Sequence, residues 1–157
     1  MGKQHESVNQ MWNSYLLSIG CDSGSADKKY TSWYFSNVEQ NANDLARLVK
    51  QGTKRATTSL YYWYQVEEEP VPKVGDLSIV TDWQGVAQCI VETKKVTIIP
   101  FIDVTEDFVI AEGEGDKSLA YWRAVHLEFF TRELEEQGKE FRDDMPVVCE
   151  EFEVVYQ

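Results

Sequence analysis

Two cations and three hydroxyl side chains stand close together near the middle of the chain. The segment reads QGTKRATTSL. The cations are Lys54 and Arg55, and the hydroxyl side chains that follow them are Thr57, Thr58 and Ser59. A lysine beside a hydroxyl offers two kinds of chemistry. As an ammonium group it binds phosphate or stabilises an oxyanion. With its proton affinity lowered by burial it acts as a base that activates the hydroxyl. A solvated loop that leads into a threonine-rich strand is the structural alternative.

A second candidate segment combines carboxylates with glycines. It reads EGEGDKS and begins at Glu112, with a second carboxylate at Glu114 and a hydroxyl at Ser118. The glycines permit close backbone approach, and a serine that opens a helix lies beside free N–H groups that can hold an anion. An ordinary turn with acidic residues at the start of a helix would have the same composition.

The third candidate segment is YWRAVHLEFF, on a predicted helix. At about 100° per residue, one broad face contains Leu119, Trp122, Arg123, His126, Phe129 and Phe130. We therefore expect Arg123 and His126 to lie within or beside the buried stripe. An arginine and a histidine on an inward face, next to an acidic elbow, are typical of a polar groove. Stacking on a tryptophan or a hydrogen bond to a carbonyl would also account for His126.

Other common sites are not indicated by the sequence. It has no glycine loop of the Walker or Rossmann type, and neither of its two histidines, His5 and His126, has metal-ligand spacing. The three cysteines, Cys21, Cys89 and Cys149, are odd in number and widely scattered, which argues against a disulfide framework and a zinc knuckle. We expect no metal, no cofactor and a reducing cytoplasm.

The elements that must position these segments follow from periodicity and punctuation. The first predicted helix covers about 7–19, and the second runs from about Val38 to the cap residue Gly52. A helix of two turns is predicted near 105–111, and a long one at about 117–137 with Asp116 as its N-cap. Predicted strands are ATTSLYYWYQV from Ala56, LSIVTD, VAQCIVETKKVTIIP, and the final PVVCEEFEVVY. The order favours an α+β fold: a small, curled, mostly antiparallel sheet or barrel with helices packed around it.

Length and charge limit the function. A chain of 157 residues with five Trp, eight Tyr and seven Phe can build one core. No apolar run approaches the ~18 residues of a membrane span, and MGKQHESVNQ lacks the apolar core that is typical of a signal peptide. The net charge of −12 disfavours a protein that coats duplex nucleic acid, but it leaves open a local basic pocket for one nucleotide or a short single strand.

In order and spacing, three segments resemble the ASCH domain family, in its longer bacterial form. They are WYFSNVEQNANDLARLVKQGTKRATTSL, PKVGDLSIV and EGEGDKSLAYWRAVHLEFF. The matching core covers about 33–130 of a single domain, 1–157, and the helix at about 7–19 is extra. The resemblance implies a small β-barrel similar to the PUA fold of RNA-modifying enzymes, with helices around a cleft.

The resemblance also implies ligands and residue roles. Small bacterial members include amidohydrolases that remove an acyl group from the exocyclic nitrogen of a modified cytidine, with a lysine, a threonine three positions on, and a distant glutamate. Lys54 and Thr57 match the first two, and Glu112 matches the third, with Glu114 as the other possible register. Other members of the longer type are ribonucleases, with the same lysine and a serine near the elbow, which corresponds to Ser118 here. The basic residue expected shortly after the threonine is missing, since Ser59 and Leu60 stand there.

The sequence thus predicts a cytoplasmic protein that binds short single-stranded RNA or a modified nucleoside, without a membrane or a metal. The predicted catalytic residues are Lys54, Thr57, Glu112 and Ser118, and the predicted ligand-binding residues are Arg55, Thr58, Ser59, Glu114, Trp122, Arg123 and His126. Hydrolysis of an acylated cytidine or of RNA is one alternative function, and a protein-interaction module is another. The oligomeric state stays open.

Overall fold

The computed structural model of the chain describes residues 3–21, 28–36 and 38–157. Its helices are α1 (Glu6–Ser18), α2 (Glu39–Lys50), α3 (Tyr61–Val66), α4 (Glu106–Glu112) and α5 (Leu119–Glu135), with one 3₁₀ turn at Phe101–Asp103. Its strands are β1 (Thr31–Trp33), β2 (Ala56–Leu60), β3 (Leu77–Thr81), β4 (Ala87–Pro100) and β5 (Pro146–Tyr156). Within these residues, no helix has the length and apolar character needed to cross a membrane.

The strands form a five-stranded sheet in the order β1-β3-β4-β5-β2. β1 pairs with β3 in parallel, whereas β3 pairs with β4, and β2 with β5, in antiparallel fashion. A mostly antiparallel sheet accompanied by helices is the α+β class predicted from the sequence, and that prediction is confirmed.

The chain divides into two compact units, and β4 and β5 contribute residues to both. The first unit comprises 1–53, 74–94 and 152–157. In it, α1 buries Val8, Trp12, Tyr15 and Leu16 against β3 and β4 residues that include Ile79 and Ile90. A second cluster packs Ala46 and Val49 of α2 with Phe35, Val80, Cys89, Val91 and Phe152. The extra N-terminal helix predicted at 7–19 is thus present, shifted by one residue.

The second unit comprises 54–73 and 95–151, and it contains every predicted site residue. Its core joins β2, α4, α5 and β5 through Leu60, Val109, Trp122, Phe130, Leu134, Val147 and Cys149. Trp122 stacks on Phe101 with ring centroids 5.2 Å apart. Thr105 caps α4 by accepting from the N–H of Phe108, so the short helix predicted near 105–111 is confirmed.

One predicted strand is wrong beyond Leu60. The aromatic run that follows it, Tyr61–Val66, forms α3 instead of continuing β2. Aromatic content alone does not separate a strand from a short helix, because both can bury aromatic rings. The partners of α3 come from far along the chain: Trp63 donates its indole N–H to Glu133, 2.5 Å away, and packs with Tyr62 against the unit's core.

Neighbouring phenylalanines on α5 test which helix face supports the second unit. Phe130 is 1 % exposed and lies against the rings of Phe101 and Phe141, whereas Phe129 is 37 % exposed. We expect Phe130→Ala to lower the free energy of unfolding by about 3 to 5 kcal/mol, since it removes a buried ring and leaves a cavity. The matched Phe129→Ala should cost about 1 kcal/mol or less. Urea denaturation measures both, and equal losses would contradict this assignment of the inward face.

Candidate functional site

Lys54 lies immediately before β2, and backbone hydrogen bonds of the residues that follow it fix its position. The next residue, Arg55, donates its backbone N–H to the carbonyl of Ala111 in α4, 2.7 Å away, and β2 then pairs with β5 from Ala56 onward. These bonds fix the backbone from which Lys54 extends. Its side chain is only 2 % exposed, so its charge requires partners inside the protein.

The ammonium group of Lys54 donates hydrogen bonds to a carbonyl oxygen and to a carboxylate. Its Nζ lies 2.8 Å from the carbonyl oxygen of Ala56 and 3.0 Å from Oε2 of Glu114. Glu114 is partly exposed, at 25 %, so this ion pair connects a buried cation to the surface. Of the two registers that the sequence left open, the carboxylate that meets Lys54 in the structure belongs to Glu114.

Glu112, the last residue of α4, has a separate set of partners. Its side chain is 1 % exposed. The hydroxyl of Thr58 donates to its Oε1 over 2.8 Å, the indole N–H of Trp122 donates to its Oε2, and Nε2 of His126 lies 3.4 Å from the same oxygen. Glu112 is therefore the centre of a buried polar cluster. It is separated from Glu114 by Gly113 alone.

The two threonines of β2 point to opposite faces of the strand, as alternation requires. Thr58 lies opposite Cys149 in β5, and Thr57 lies opposite Glu150. Burial, with a smaller contribution from the nearby Glu112 charge, raises the pKa of the Cys149 thiol to about 12. Thr58 and Cys149 thus line the Glu112 side. Thr57 lies on the other face and, within the described residues, its hydroxyl makes no hydrogen bond.

Ser59 shares the face of Thr57 and contacts a residue that sequence reasoning missed. Its hydroxyl lies 3.0 Å from that of Tyr64 in α3. Burial raises the pKa of Tyr64; the bond to Ser59 lowers it by less, and the charge of Glu150 adds to the increase. Composition gave no signal for Tyr64, because its return to Ser59 depends on the chain turning into α3.

The elbow between α4 and α5 uses three residues of left-handed backbone. Gly113 has φ 70°, Gly115 has φ 59° and Lys117 has φ 63°. A side chain at Gly115 would meet the ring of Tyr121 at 2.1 Å, so glycine is required there. This path places the carboxylate of Glu114 against Lys54, with an oxygen within 4.8 Å of one of Glu112.

Ser118 has a structural role at the end of this elbow. Its hydroxyl accepts the backbone N–H of Tyr121 over 3.1 Å and caps α5, while its own N–H donates to Oδ1 of Asp116 over 2.9 Å. Hydrogen bonds from Ser118 lower the pKa of Asp116. The predicted N-cap, Asp116, is therefore wrong by two residues, because the serine hydroxyl satisfies the free N–H groups of the first turn.

Along α5, the structure separates the residues that were predicted to share a face. Trp122 is buried, and the ring of His126 stacks on it with centroids 4.2 Å apart. Arg123 is exposed and donates to the carbonyl oxygen of Ile102, 3.1 Å away. The expectation that Arg123 lies on the inward face is wrong, because its position is rotated by about 100° from Trp122.

The chain matches the ASCH domain family over residues 31–156. It belongs to that family. A crystal structure of an ASCH domain from Lactobacillus crispatus JV V101 is 42% identical, has a TM-score of 0.91, and is covered over 99% of its length by 100% of this chain. A protein of Enterococcus faecalis V583 is 34% identical with a TM-score of 0.85, over 96% of this chain and 89% of that one. No curated protein matches the chain.

These comparisons confirm the predicted family and its fold. A third structure, of a hypothetical protein, is 20% identical with a TM-score of 0.54 and covers 81% of this chain; at that identity it shows the shared fold alone. The ASCH match begins at β1, so α1 lies outside the matched residues. The similarity to the Lactobacillus structure extends over the whole of this chain and therefore includes α1.

One group of side chains in this ASCH domain has ligand atoms suited to a divalent cation. Oxygens of Glu112 and Glu114 and a ring nitrogen of His126 lie within 4.8 Å of one another. A cation bound there would approach the ammonium group of Lys54, which already lies 3.0 Å from Glu114. Since like charges at such distances repel strongly in a buried site, we assign no metal to this cluster.

Replacing Ser118 distinguishes a cap from a reactive hydroxyl. We expect Ser118→Ala to lower the free energy of unfolding by about 0.5 to 2 kcal/mol, because the N–H of Tyr121 loses its acceptor. Ser118→Asp should restore most of that stability, since aspartate also caps helices. Thermal denaturation of the three proteins provides the comparison. An alanine variant as stable as the parent would remove the capping assignment.

Proposed function

We propose that this ASCH domain binds a nucleoside that carries an acyl group on an exocyclic nitrogen and hydrolyses the amide bond. The observation that carries the proposal is the ion pair between Lys54 and Glu114, 3.0 Å long, with the lysine 2 % exposed. An enclosed amine in direct contact with a carboxylate can exchange a proton with it, and such a pair can activate a hydroxyl nucleophile.

The same geometry disfavours a phosphate clamp at Lys54. A lysine that binds phosphate as a point charge must offer donors to the ligand. Here the ammonium group already donates to the Ala56 carbonyl and to Glu114. A phosphate group bound to Lys54 would meet the negative charge of Glu114, which lies 3.0 Å from the same nitrogen.

The charge of the surrounding unit also favours a neutral ligand. The unit made of 54–73 and 95–151 contains nine Lys or Arg and eighteen Asp or Glu, a formal charge of −9 out of the −12 of the chain. A polyanion is repelled by such a surface, whereas a nucleoside has no phosphate. The acidic environment therefore supports an uncharged nucleoside more than RNA.

In the proposed reaction, a proton first passes from Lys54 to Glu114, leaving a neutral amine and a neutral carboxyl group. The amine then takes the proton of Thr57 as the threonine oxygen forms a bond to the acyl carbon. The resemblance to the amidohydrolases assigns this nucleophile; it lies on the face of β2 opposite Thr58, and its hydroxyl makes no hydrogen bond within the described residues. Thr58 is less suitable as the nucleophile because its hydroxyl already donates a hydrogen bond to Glu112.

The second half of the reaction restores the starting charges. As the tetrahedral intermediate collapses, the carbon–nitrogen bond breaks and Glu114 gives its proton to the departing exocyclic nitrogen. Lys54 is then an ammonium group and Glu114 a carboxylate again. A water molecule hydrolyses the acyl-threonine ester through the same proton exchange, releasing the carboxylic acid and the Thr57 hydroxyl.

Binding of a short single-stranded RNA without hydrolysis is the second candidate. It is favoured by Arg55, whose side chain is exposed beside the buried Lys54. Phosphate contacts make affinity fall steeply with salt. If RNA is the ligand, the logarithm of the binding constant should decline linearly with the logarithm of salt concentration, and Arg55→Ala should reduce that slope. A salt-independent affinity would exclude this candidate.

Conservative variants of Lys54 and Thr57 test the proposed hydrolysis. With N4-acylated cytidine as the probe, we expect Lys54→Arg and Thr57→Ala each to lower kcat by about 100-fold or more. Arginine stays protonated and cannot serve as a base. The double variant should lose little more than either single one, because the two residues act as a unit. Product release is followed chromatographically.

Three controls keep this result interpretable. Thr57→Ser should retain measurable activity because the nucleophilic oxygen is kept. Lys139→Arg, at an exposed lysine of the same unit, should leave activity unchanged. Since arginine is bulkier than the buried lysine, Lys54→Gln provides a smaller variant with the same expected loss, and thermal denaturation shows whether each protein is folded. Activity retained by Lys54→Arg would rule out the base role.

A further inference from the structure

Two hydroxyl groups meet on the face of β2 that carries Thr57. They belong to Ser59 of β2 and Tyr64 of α3, and their oxygens lie 3.0 Å apart. Because α3 follows β2 directly, both hydroxyls are attached to regular backbone that fixes their positions. Both side chains are half-buried, so the pair is partly enclosed but still accessible to a ligand on this face.

A count of protons shows what the Ser59–Tyr64 pair can offer to a ligand. Each hydroxyl has one O–H donor and two acceptor lone pairs. One proton is used between the two oxygens, whichever residue donates it. Among the residues that the structure describes, neither side chain makes a second hydrogen bond, so one proton is left over in the pair.

The surroundings keep this remaining proton in place at neutral pH. Burial raises the pKa of Tyr64; the bond to Ser59 lowers it by less, and the charge of Glu150 adds to the increase. The phenol therefore stays protonated. Since an enclosed donor without an acceptor is unfavourable, a ligand that brings an acceptor atom to the pair is favoured over one that brings another proton.

The spacing along β2 matches the distance between two atoms of an acylated nucleobase. Thr57 and Ser59 are two residues apart on one face, which separates their backbones by about 6.6 Å. A nucleophile lies about 3 to 3.5 Å from the carbon that it attacks, and a hydrogen bond to a ring nitrogen is about 3 Å long. Only the exocyclic nitrogen and one ring carbon separate the acyl carbon from the neighbouring ring nitrogen, so the two side chains can meet both atoms at once.

We propose that the Ser59–Tyr64 pair donates a hydrogen bond to the ring nitrogen beside the acylated exocyclic nitrogen, while Thr57 faces the acyl carbon. This inference rests on the proposed hydrolysis for the position of the nucleoside. Cytosine and adenine both have an unprotonated ring nitrogen next to their exocyclic nitrogen, so the pair fits substrates that are acylated on either base. Ser59 and Tyr64 thus hold the base while Thr57 reacts.

Binding without turnover tests this contact. Thr57→Ala removes the proposed nucleophile, so calorimetric titration can compare N4-acetylcytidine with its 3-deaza analogue, in which a C–H group replaces the ring nitrogen. We expect the Thr57→Ala protein to bind N4-acetylcytidine about tenfold more tightly, the effect of one lost hydrogen bond. Equal affinities for the two nucleosides, or no binding of either, would overturn the proposal.

Removal of both hydroxyls shows whether this pair makes the contact. Thr57→Ala/Ser59→Ala/Tyr64→Phe should bind the two nucleosides equally, because no donor is left. In the matched control, Thr57→Ala/Tyr62→Phe, the ring of α3 that is altered packs against the core and makes no hydrogen bond through its hydroxyl within the described residues. The control should keep the tenfold preference, and thermal denaturation shows whether each protein is folded. A preference that persists in the folded triple variant would assign the contact to another residue and contradict the proposal.

Activity measurements separate this inference from the proposed hydrolysis. With Thr57 in place, Ser59→Ala/Tyr64→Phe should lower kcat/KM for N4-acetylcytidine by a larger factor than for the 3-deaza analogue. Equal losses on the two substrates would show that the pair does not contact the ring nitrogen. If the parent protein hydrolyses neither nucleoside, the proposed function fails, whereas the affinities of the Thr57→Ala protein still decide how the base is recognised.

Discussion

The second unit is organised around the burial of one positive charge. Lys54 is 2 % exposed, and an unpaired ammonium group in such surroundings is unfavourable by several kcal/mol. The partners of this ammonium group include one backbone carbonyl and one carboxylate, at 2.8 and 3.0 Å. Every element that supplies or supports these oxygens is therefore constrained: the start of β2, the end of α4 and the elbow that follows it.

The elbow gives two nearby glutamates different environments. Glu112 is still helical and contacts Thr58 of β2 and both Trp122 and His126 of α5. After Gly113, the left-handed residue that ends α4, the partly exposed Glu114 meets Lys54. The two carboxylates therefore have different partners, although they are only two residues apart in the sequence.

The distribution of charge complements this arrangement. The acidic residues are concentrated in the unit that contains the site, which has eighteen of the chain's 27. Cationic side chains near the site are either buried and paired, like Lys54, or exposed, like Arg55. A neutral ligand with hydrogen-bonding groups fits this environment, whereas a polyanion would meet repulsion over most of the surface.

Much of the fold and of the site could be predicted from the sequence, because the relevant signals are local. Helical spacing in α1, α4 and α5, the antiparallel strands, the family, and the cation–hydroxyl segment at Lys54 are all contained in short stretches. The exceptions depend on distant partners. Tyr61–Val66 became a helix whose Trp63 meets Glu133, and Arg123 turned outward to Ile102. Lys54 meets Glu114, which follows the left-handed Gly113 at the end of α4. A sequence determines which side chains are available, but the partner of a buried charge is set by the backbone path that brings it within hydrogen-bond distance.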